Sequence, residues 1–103
     1  MSASVSSAVP IAELEQVAEQ VALFLRSLAN RDRLLLLCHL VDGERTVGAL
    51  EEATGIRQPS LSQQLGVLRD EGLVETRREG RFVHYRIASA EAAELLGVLY
   101  RQF

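Results

Sequence analysis

The sequence has few of the features that mark secreted, membrane or catalytic chains. One cysteine in 103 residues excludes an intramolecular disulfide framework. Its uninterrupted apolar runs, such as residues 21–25 and 34–38, are far too short to cross a bilayer. The first ten residues lack the basic and apolar regions of a secretory signal. Because no nucleophile-base set or phosphate-binding glycine loop is present either, we expect a cytoplasmic protein that is not an enzyme.

The composition of the chain is typical of one small helical domain. Apolar residues make up 48% of the chain, and tryptophan is absent. A chain of this length can build a single core and little more. The Ser/Ala-rich stretch at residues 1–10 predicts a flexible N-terminal tail, and residues 11–103 form the domain.

Hydrophobic spacing predicts two long helices in the first half of that domain. In "PIAELEQVAEQVALFLRSLA" apolar residues recur at steps of three and four, from Ile11 to Leu28. Asn30 is a suitable N-cap for "RDRLLLLCHLV". This second helix is apolar all round in its middle and ends by Gly43, so we expect it to be the most buried helix.

Two shorter helices follow, separated by a tight turn. Thr46 caps "VGALEEAT", and Gly55 is a natural left-handed stop. Pro59 suits the first turn of the next helix, where its missing N–H costs nothing. In that helix Leu61, Leu65 and Leu68 share one face. Two helices so closely joined predict a helix-turn-helix.

A β-hairpin and a last helix complete the predicted fold. Gly72 ends the fourth helix, and "LVETRREGRFVHYRIA" reads as two short strands around a turn. Alternation places Val83, Tyr85 and Ile87 inward, and Phe82, His84 and Arg86 outward. Ser89 caps a final amphipathic helix. The predicted class is mostly α with a small β-hairpin, a winged helix-turn-helix ordered as four helices, two strands and one helix.

The fourth helix has a polar face that suits a DNA major groove. A recognition helix needs an apolar back and hydrogen-bonding side chains near its N-terminus. Glutamine can pair with the adenine edge, and serine with a base or a phosphate. A merely solvated face is the alternative. We predict DNA contacts from five residues: Gln58, Ser60, Ser62, Gln63 and Gln64. Gln64 is expected to lie on the outward arc of the helix.

Charge distribution supports the same partner. The net charge is −3, yet residues 57–86 carry six arginines and four acids, a local +2. Arginines at the end of a two-stranded projection can reach phosphates or a minor groove. The alternative is a charged edge that discourages strand pairing. We predict four further DNA contacts: Arg77, Arg78, Arg81 and His84.

The stretches "LANRDRLLLLCHL", "TVGALEEATGIRQPSLSQQLGVLRDEGLVETRREGR" and "VHYRI" together resemble the ArsR/SmtB family of bacterial winged-helix repressors. This resemblance implies a homodimer, with the first and last helices as its interface, that binds an inverted repeat in operator DNA. The exposed apolar surface expected on both terminal helices favours the same contact. The negative total charge leaves open a rival function, a winged-helix module for protein contacts.

Cys38 is the candidate residue with which such a repressor would sense its signal. The third helix has no Cys or His, and the last offers only Glu91 and Glu94, so we expect no metal site and no cofactor. "LCHLVDGERTVGALE" resembles the persulfide-responsive, BigR- and SqrR-like branch, in which the cysteine at this position works with a second one on the last helix. That second position would follow Phe103, so Cys38 is either a reactive sulfur sensor or its remnant. There are two alternatives to this role. Cys38 packs only as a small hydrophobic residue, or the inducer does not act on thiols. We expect His39 to be a partly buried neighbour of Cys38 rather than its base.

Overall fold

The computed structural model describes residues 10–103, and residues 1–9 of the predicted tail lie outside them. Five helices and three strands follow in chain order. The helices are α1 (Ile11–Leu28), α2 (Arg31–Leu40), α3 (Val47–Thr54), α4 (Ser60–Asp70) and α5 (Ala90–Gln102), and the strands are β1 (Arg45–Thr46), β2 (Val74–Glu79) and β3 (Phe82–Ile87). The predicted class and order of helices are confirmed, with one short strand added.

Side-chain caps begin three of the helices where the sequence predicted them. Asn30 Oδ1 accepts from the Arg33 N–H at 3.0 Å, and Thr46 Oγ1 accepts from the Ala49 N–H at 3.2 Å. Ser89 Oγ accepts from the Ala92 N–H at 3.0 Å. Each bond satisfies a backbone donor that the first turn leaves without a partner. Gly55, at φ 76°, ends α3 in the left-handed conformation that glycine adopts without strain.

The sheet has three antiparallel strands in the order β1-β3-β2, where the sequence had predicted only the hairpin. In the added pairing Arg45 lies opposite Tyr85 and Thr46 lies opposite His84. Two residues are too few to show a period-two pattern, which explains why β1 escaped prediction. The consequence is that β3 is a central strand, and the wing formed by β2 and β3 is tied to the start of α3.

The core lies where α2 packs against the helix-turn-helix and β3. Six leucines form its fully buried centre: Leu36, Leu37, Leu50, Leu61, Leu65 and Leu68. Burying each such side chain stabilises the fold by roughly 1.5–3 kcal/mol relative to exposure. Three of the six belong to α4, so the back of that helix is held firmly while its front is left to solvent.

The outer faces of α1 and α5 expose much apolar surface. On α1 Val17 and Leu23 are 46% and 57% exposed, and on α5 Val98 and Tyr100 are 46% and 76% exposed. Only Ser27 and Leu28 of α1 are buried, because its C-terminal end alone packs on the domain. Within residues 10–103 no helix has the length and hydropathy needed to traverse a bilayer.

Candidate nucleic-acid interface

The start of α4 engages both Pro59 and Gln58. Pro59 is the N-cap of the helix, and its carbonyl accepts from the Gln63 N–H at 3.1 Å. Since proline has no side-chain acceptor, the preceding turn supplies one. Gln58 Oε1 accepts from the Ser62 N–H at 3.0 Å. The side-chain oxygen of Gln58 therefore caps α4, and the N–H groups of its side-chain amide are left for a ligand.

The front of α4 presents Ser62 and Gln63 to solvent, with Ser60 half-buried beside them. Leu61, Leu65 and Leu68 form the buried back. Successive residues turn by about 100°, so Gln63 lies about 165° around the helix from the centre of that leucine stripe. This is the arrangement that a major-groove helix requires: an apolar back and a hydrogen-bonding front near the N-terminus.

Gln64 does not lie on the outward arc where we had placed it. It is half-buried, because its position is only about 65° from the centre of the leucine stripe. Its Oε1 accepts from Arg33 Nη1 at 3.0 Å. Sequence reasoning did not identify Arg33 as a functional residue, because nothing in the spacing of residues 33 and 64 relates the two side chains.

On the wing, Arg77 differs from the other predicted arginines. Its Nη2 lies 2.7 Å from Glu44 Oε1, and its Nη1 lies 3.4 Å from Glu79 Oε1. The hydrogen bond from Arg77 lowers the pKa of Glu44, and the same bond raises the pKa of Arg77. The charge of Arg77 is thus already compensated within the protein.

Arg78 and Arg81 are exposed and make no ion pair with any residue between 10 and 103. Arg81 follows Gly80 in the two-residue turn that joins β2 to β3. Gly80 has φ 62°, a conformation that suits glycine at the tip of a hairpin. The tip of the wing therefore carries the positive charge that remains free for an anionic ligand.

His84 is less accessible than the strand alternation suggested. Its side chain is 22% exposed, and its Nε2 lies 3.5 Å from Glu79 Oε1. It also faces Arg77 on β2 and Thr46 on β1. His84 shares the outward face of β3 with exposed Phe82 and Arg86, as the alternation predicted. Its neighbours Thr46, Arg77 and Glu79 reduce its exposure on that face.

Cys38 lies apart from this surface, on the wall of a groove of about 410 Å³ between α2 and α5. Leu35, Leu96 and Tyr100 line the same groove. The thiol is half-buried, and burial raises its pKa because it disfavours the thiolate. Among the described residues no hydrogen bond joins His39 to Cys38. The His39 carbonyl accepts instead from Arg45 Nε at 2.7 Å.

No cluster of three or more His, Cys, Asp or Glu side chains that could hold a metal ion occurs in the part of the chain that the structure describes.

Comparison with known proteins links these features to one family. Residues 30–76 match the model of the arsR family of bacterial regulatory proteins. The biofilm growth-associated repressor of Agrobacterium fabrum is 50% identical over 95 residues, which are 92% of this chain and 81% of that protein.

Two solved structures share the fold. The transcriptional repressor BigR from Xylella fastidiosa superposes with a TM-score of 0.85 at 48% identity, over 92% of this chain and 97% of that one. The homodimeric winged helix-turn-helix DNA-binding domain of a Mycobacterium bovis protein superposes with a TM-score of 0.73 at 41% identity, over 84% of this chain and 80% of that one.

Proposed function

The chain belongs to the ArsR family of bacterial regulatory proteins, and from this premise we propose that it is a homodimeric repressor that binds an inverted repeat in operator DNA. It is a DNA-binding transcriptional regulator, and this role would place it in the cytoplasm. The observation that carries the proposal is the front of α4. Exposed Ser62 and Gln63 stand on a helix whose back is held by three buried leucines, beside a wing with two free arginines.

Gln63 is the base-reading residue in this proposal. Its amide has no hydrogen bond to any residue between 10 and 103, so both its oxygen and its N–H groups are available for the adenine edge. Ser60, Ser62 and the Gln58 amide supply contacts to neighbouring bases or phosphates at the N-terminus of α4. Arg78 and Arg81 bind phosphates or the adjacent minor groove. Arg77 and His84 contribute less, because Glu79 already engages both of them.

A homodimer through α1 and α5 is supported by the apolar side chains that these helices expose. A two-fold contact would remove them from water and present two copies of α4 to one face of a duplex. The Mycobacterium bovis relative is homodimeric. Two recognition helices in such a dimer read half-sites that are one helical turn, about 34 Å, apart.

Cys38 is the proposed sensor, and reactive sulfur is its proposed signal. The Cys38 thiolate attacks the outer sulfur of an organic persulfide, RS–SH; the S–S bond breaks, RS⁻ leaves, and Cys38 becomes Cys–S–SH. The groove between α2 and α5 has room for the added atom. Because α5 belongs to the proposed dimer interface, a change at this wall can shift the dimer toward a conformation with weaker DNA affinity.

Fluorescence anisotropy tests the repressor function directly. The protein is titrated with the duplex upstream of its own gene and with a scrambled duplex at fixed salt. We expect selective binding, and we expect Gln63→Ala to lower affinity for the operator much more than for scrambled DNA. Gln16→Ala, an exposed glutamine on the polar side of α1, is the matched control. Equal losses on both duplexes for Gln63→Ala would contradict its base-reading role.

The sensor is tested with the same duplex after treatment with an organic persulfide. We expect mass spectrometry to find one added sulfur atom on Cys38 and operator affinity to fall, with neither change in Cys38→Ser. An unmodified Cys38 with unchanged affinity would reject sulfur as the signal and leave an inducer that does not act on thiols.

A further inference from the structure

The guanidinium of Arg33 connects three helices. Arg33 lies in the first turn of α2, and each of its three nitrogens donates to a different acceptor. Nε donates to the Ser27 carbonyl at 2.6 Å, Nη2 donates to the Arg26 carbonyl at 3.3 Å, and Nη1 donates to Gln64 Oε1 at 3.0 Å. One side chain thus joins the end of α1 to the DNA-facing helix α4.

We propose that Arg33 is a positioning residue that orients the Gln64 amide so that Gln64 meets DNA as a hydrogen-bond donor. The proposal rests on the DNA-binding function proposed above. It adds a residue that positions a predicted DNA contact, and it assigns a chemical preference to Gln64, the half-buried neighbour of the exposed front of α4.

The orientation follows from the chemistry of the contact. A guanidinium has only donors, so the Gln64 oxygen must face Arg33, and the reversed amide would bring two donors together. The charged donor also strengthens the hydrogen bond. The Nε2 group, with two N–H bonds, is consequently directed away from Arg33. Gln63 has no such constraint.

This constraint changes what Gln64 can recognise. Bidentate recognition of adenine uses the amide oxygen as well as the nitrogen. In Gln64 that oxygen is already engaged, so its free N–H groups suit the acceptors on base edges: guanine O6 or N7, or thymine O4. The two neighbouring glutamines of α4 therefore have different roles, with Gln63 suited to adenine and Gln64 suited to acceptor edges.

The hydrogen bonds from Arg33 to the end of α1 explain why its guanidinium keeps this position. The Arg26 and Ser27 carbonyls belong to the last turn of α1, where the helix dipole is negative. Arg33 Nε donates a short hydrogen bond to the Ser27 carbonyl. The Arg26 carbonyl, which already accepts from the Ala29 N–H at 3.3 Å, accepts a second bond from Arg33 Nη2. A planar guanidinium reaches three acceptors at once, whereas a lysine ammonium is a compact point charge that cannot span them. Charge alone is therefore insufficient at this position.

Arg33→Lys, Gln64→Ala and the double variant form the test, with operator and scrambled duplexes as ligands. We expect Arg33→Lys and Gln64→Ala each to lower operator affinity by about 5-fold per half-site, or about 25-fold for a symmetric dimer. Affinity for scrambled DNA should change much less. The double variant should lose no more than Gln64→Ala alone, because both changes remove the same contact. Arg31→Lys is the control, since the one ion pair of exposed Arg31 with any residue from 10 to 103 is that with the adjacent Asp32.

Additive losses in the double variant, or an equal loss on both duplexes for Arg33→Lys, would overturn the positioning role. If the unsubstituted protein binds the operator no better than scrambled DNA, the proposed repressor function fails and this inference with it. Selective binding that survives Arg33→Lys rejects the inference alone.

A second variant covers the case in which Arg33→Lys does not fold. Gln64→Glu keeps an acceptor for Arg33 and makes it charged, but it has no N–H to offer DNA. We expect a higher Tm together with lost operator selectivity. Gln63→Glu adds the same charge one residue away, without a contact to Arg33, and should raise Tm less. A Tm gain that is equal in the two variants would show that Arg33 does not hold residue 64.

Discussion

Removing the Arg81 guanidinium should weaken binding to every duplex, by an amount that depends on salt. Arg81 lies exposed in the turn at the tip of the wing and has no ion pair among the described residues. If each wing of a homodimer places one Arg81 on a phosphate, Arg81→Ala deletes two phosphate contacts. Because it reads no base, operator and scrambled DNA should lose affinity alike.

The expected size follows from counterion release. Each phosphate contact adds about 0.9 to the slope of log affinity against log salt, so two lost contacts flatten the slope by about 1.8. Between 50 and 200 mM salt the unsubstituted protein should then lose about 12-fold more affinity than Arg81→Ala. Anisotropy titrations at four or five salt concentrations measure both slopes.

Arg77→Ala is the matched control for this experiment. It deletes the same charge from the same strand pair, but Arg77 is already engaged by Glu44 and Glu79. The long-range change in potential is therefore similar in the two variants, while the number of lost phosphate contacts differs. We expect a clearly smaller change of slope for Arg77→Ala. Equal changes would refute the division of the wing into free and compensated arginines.

Three further predictions concern the core, the wing and the thiol. Leu65→Ala should lower the free energy of unfolding by about 2–5 kcal/mol, measured by urea denaturation, because Leu65 is 1% exposed; a cost no larger than that of Val67→Ala, on the exposed side of α4, would contradict its core role. Arg77 lowers the pKa of Glu44, so the stability that this carboxylate adds is present above its unfolded-state pKa and is lost as pH falls through the folded-state pKa. Glu44→Gln should accordingly lower Tm at neutral pH and match the unsubstituted protein in acid, and a Tm difference that does not depend on pH would exclude the ion pair as its cause. Burial raises the pKa of Cys38, so alkylation by iodoacetamide should be slow at neutral pH. The alkylation rate, measured by mass spectrometry, should keep rising above the pH at which the rate for a free cysteine levels off. A rate that levels off at the same pH as for a free cysteine would contradict this prediction.

Much of the fold could be predicted because its signals are local. Helix caps act over three residues, as Asn30, Thr46 and Ser89 show, and the leucine stripe of α4 repeats within one helix. Such patterns depend on the chain near each residue and not on how distant segments meet. The recognition helix, the wing and the exposed faces of the terminal helices were all readable in this way.

The tertiary structure decided whether each candidate DNA-binding side chain is free or already engaged within the protein. Arg77 is compensated by Glu44, 33 residues away, and Gln64 is held by Arg33, 31 residues away. His84 is partly covered because a two-residue strand pairs beside it. Residue type and spacing identify a side chain that could bind DNA, but whether its charge or hydrogen bonds are still free depends on partners that only the folded chain brings within reach.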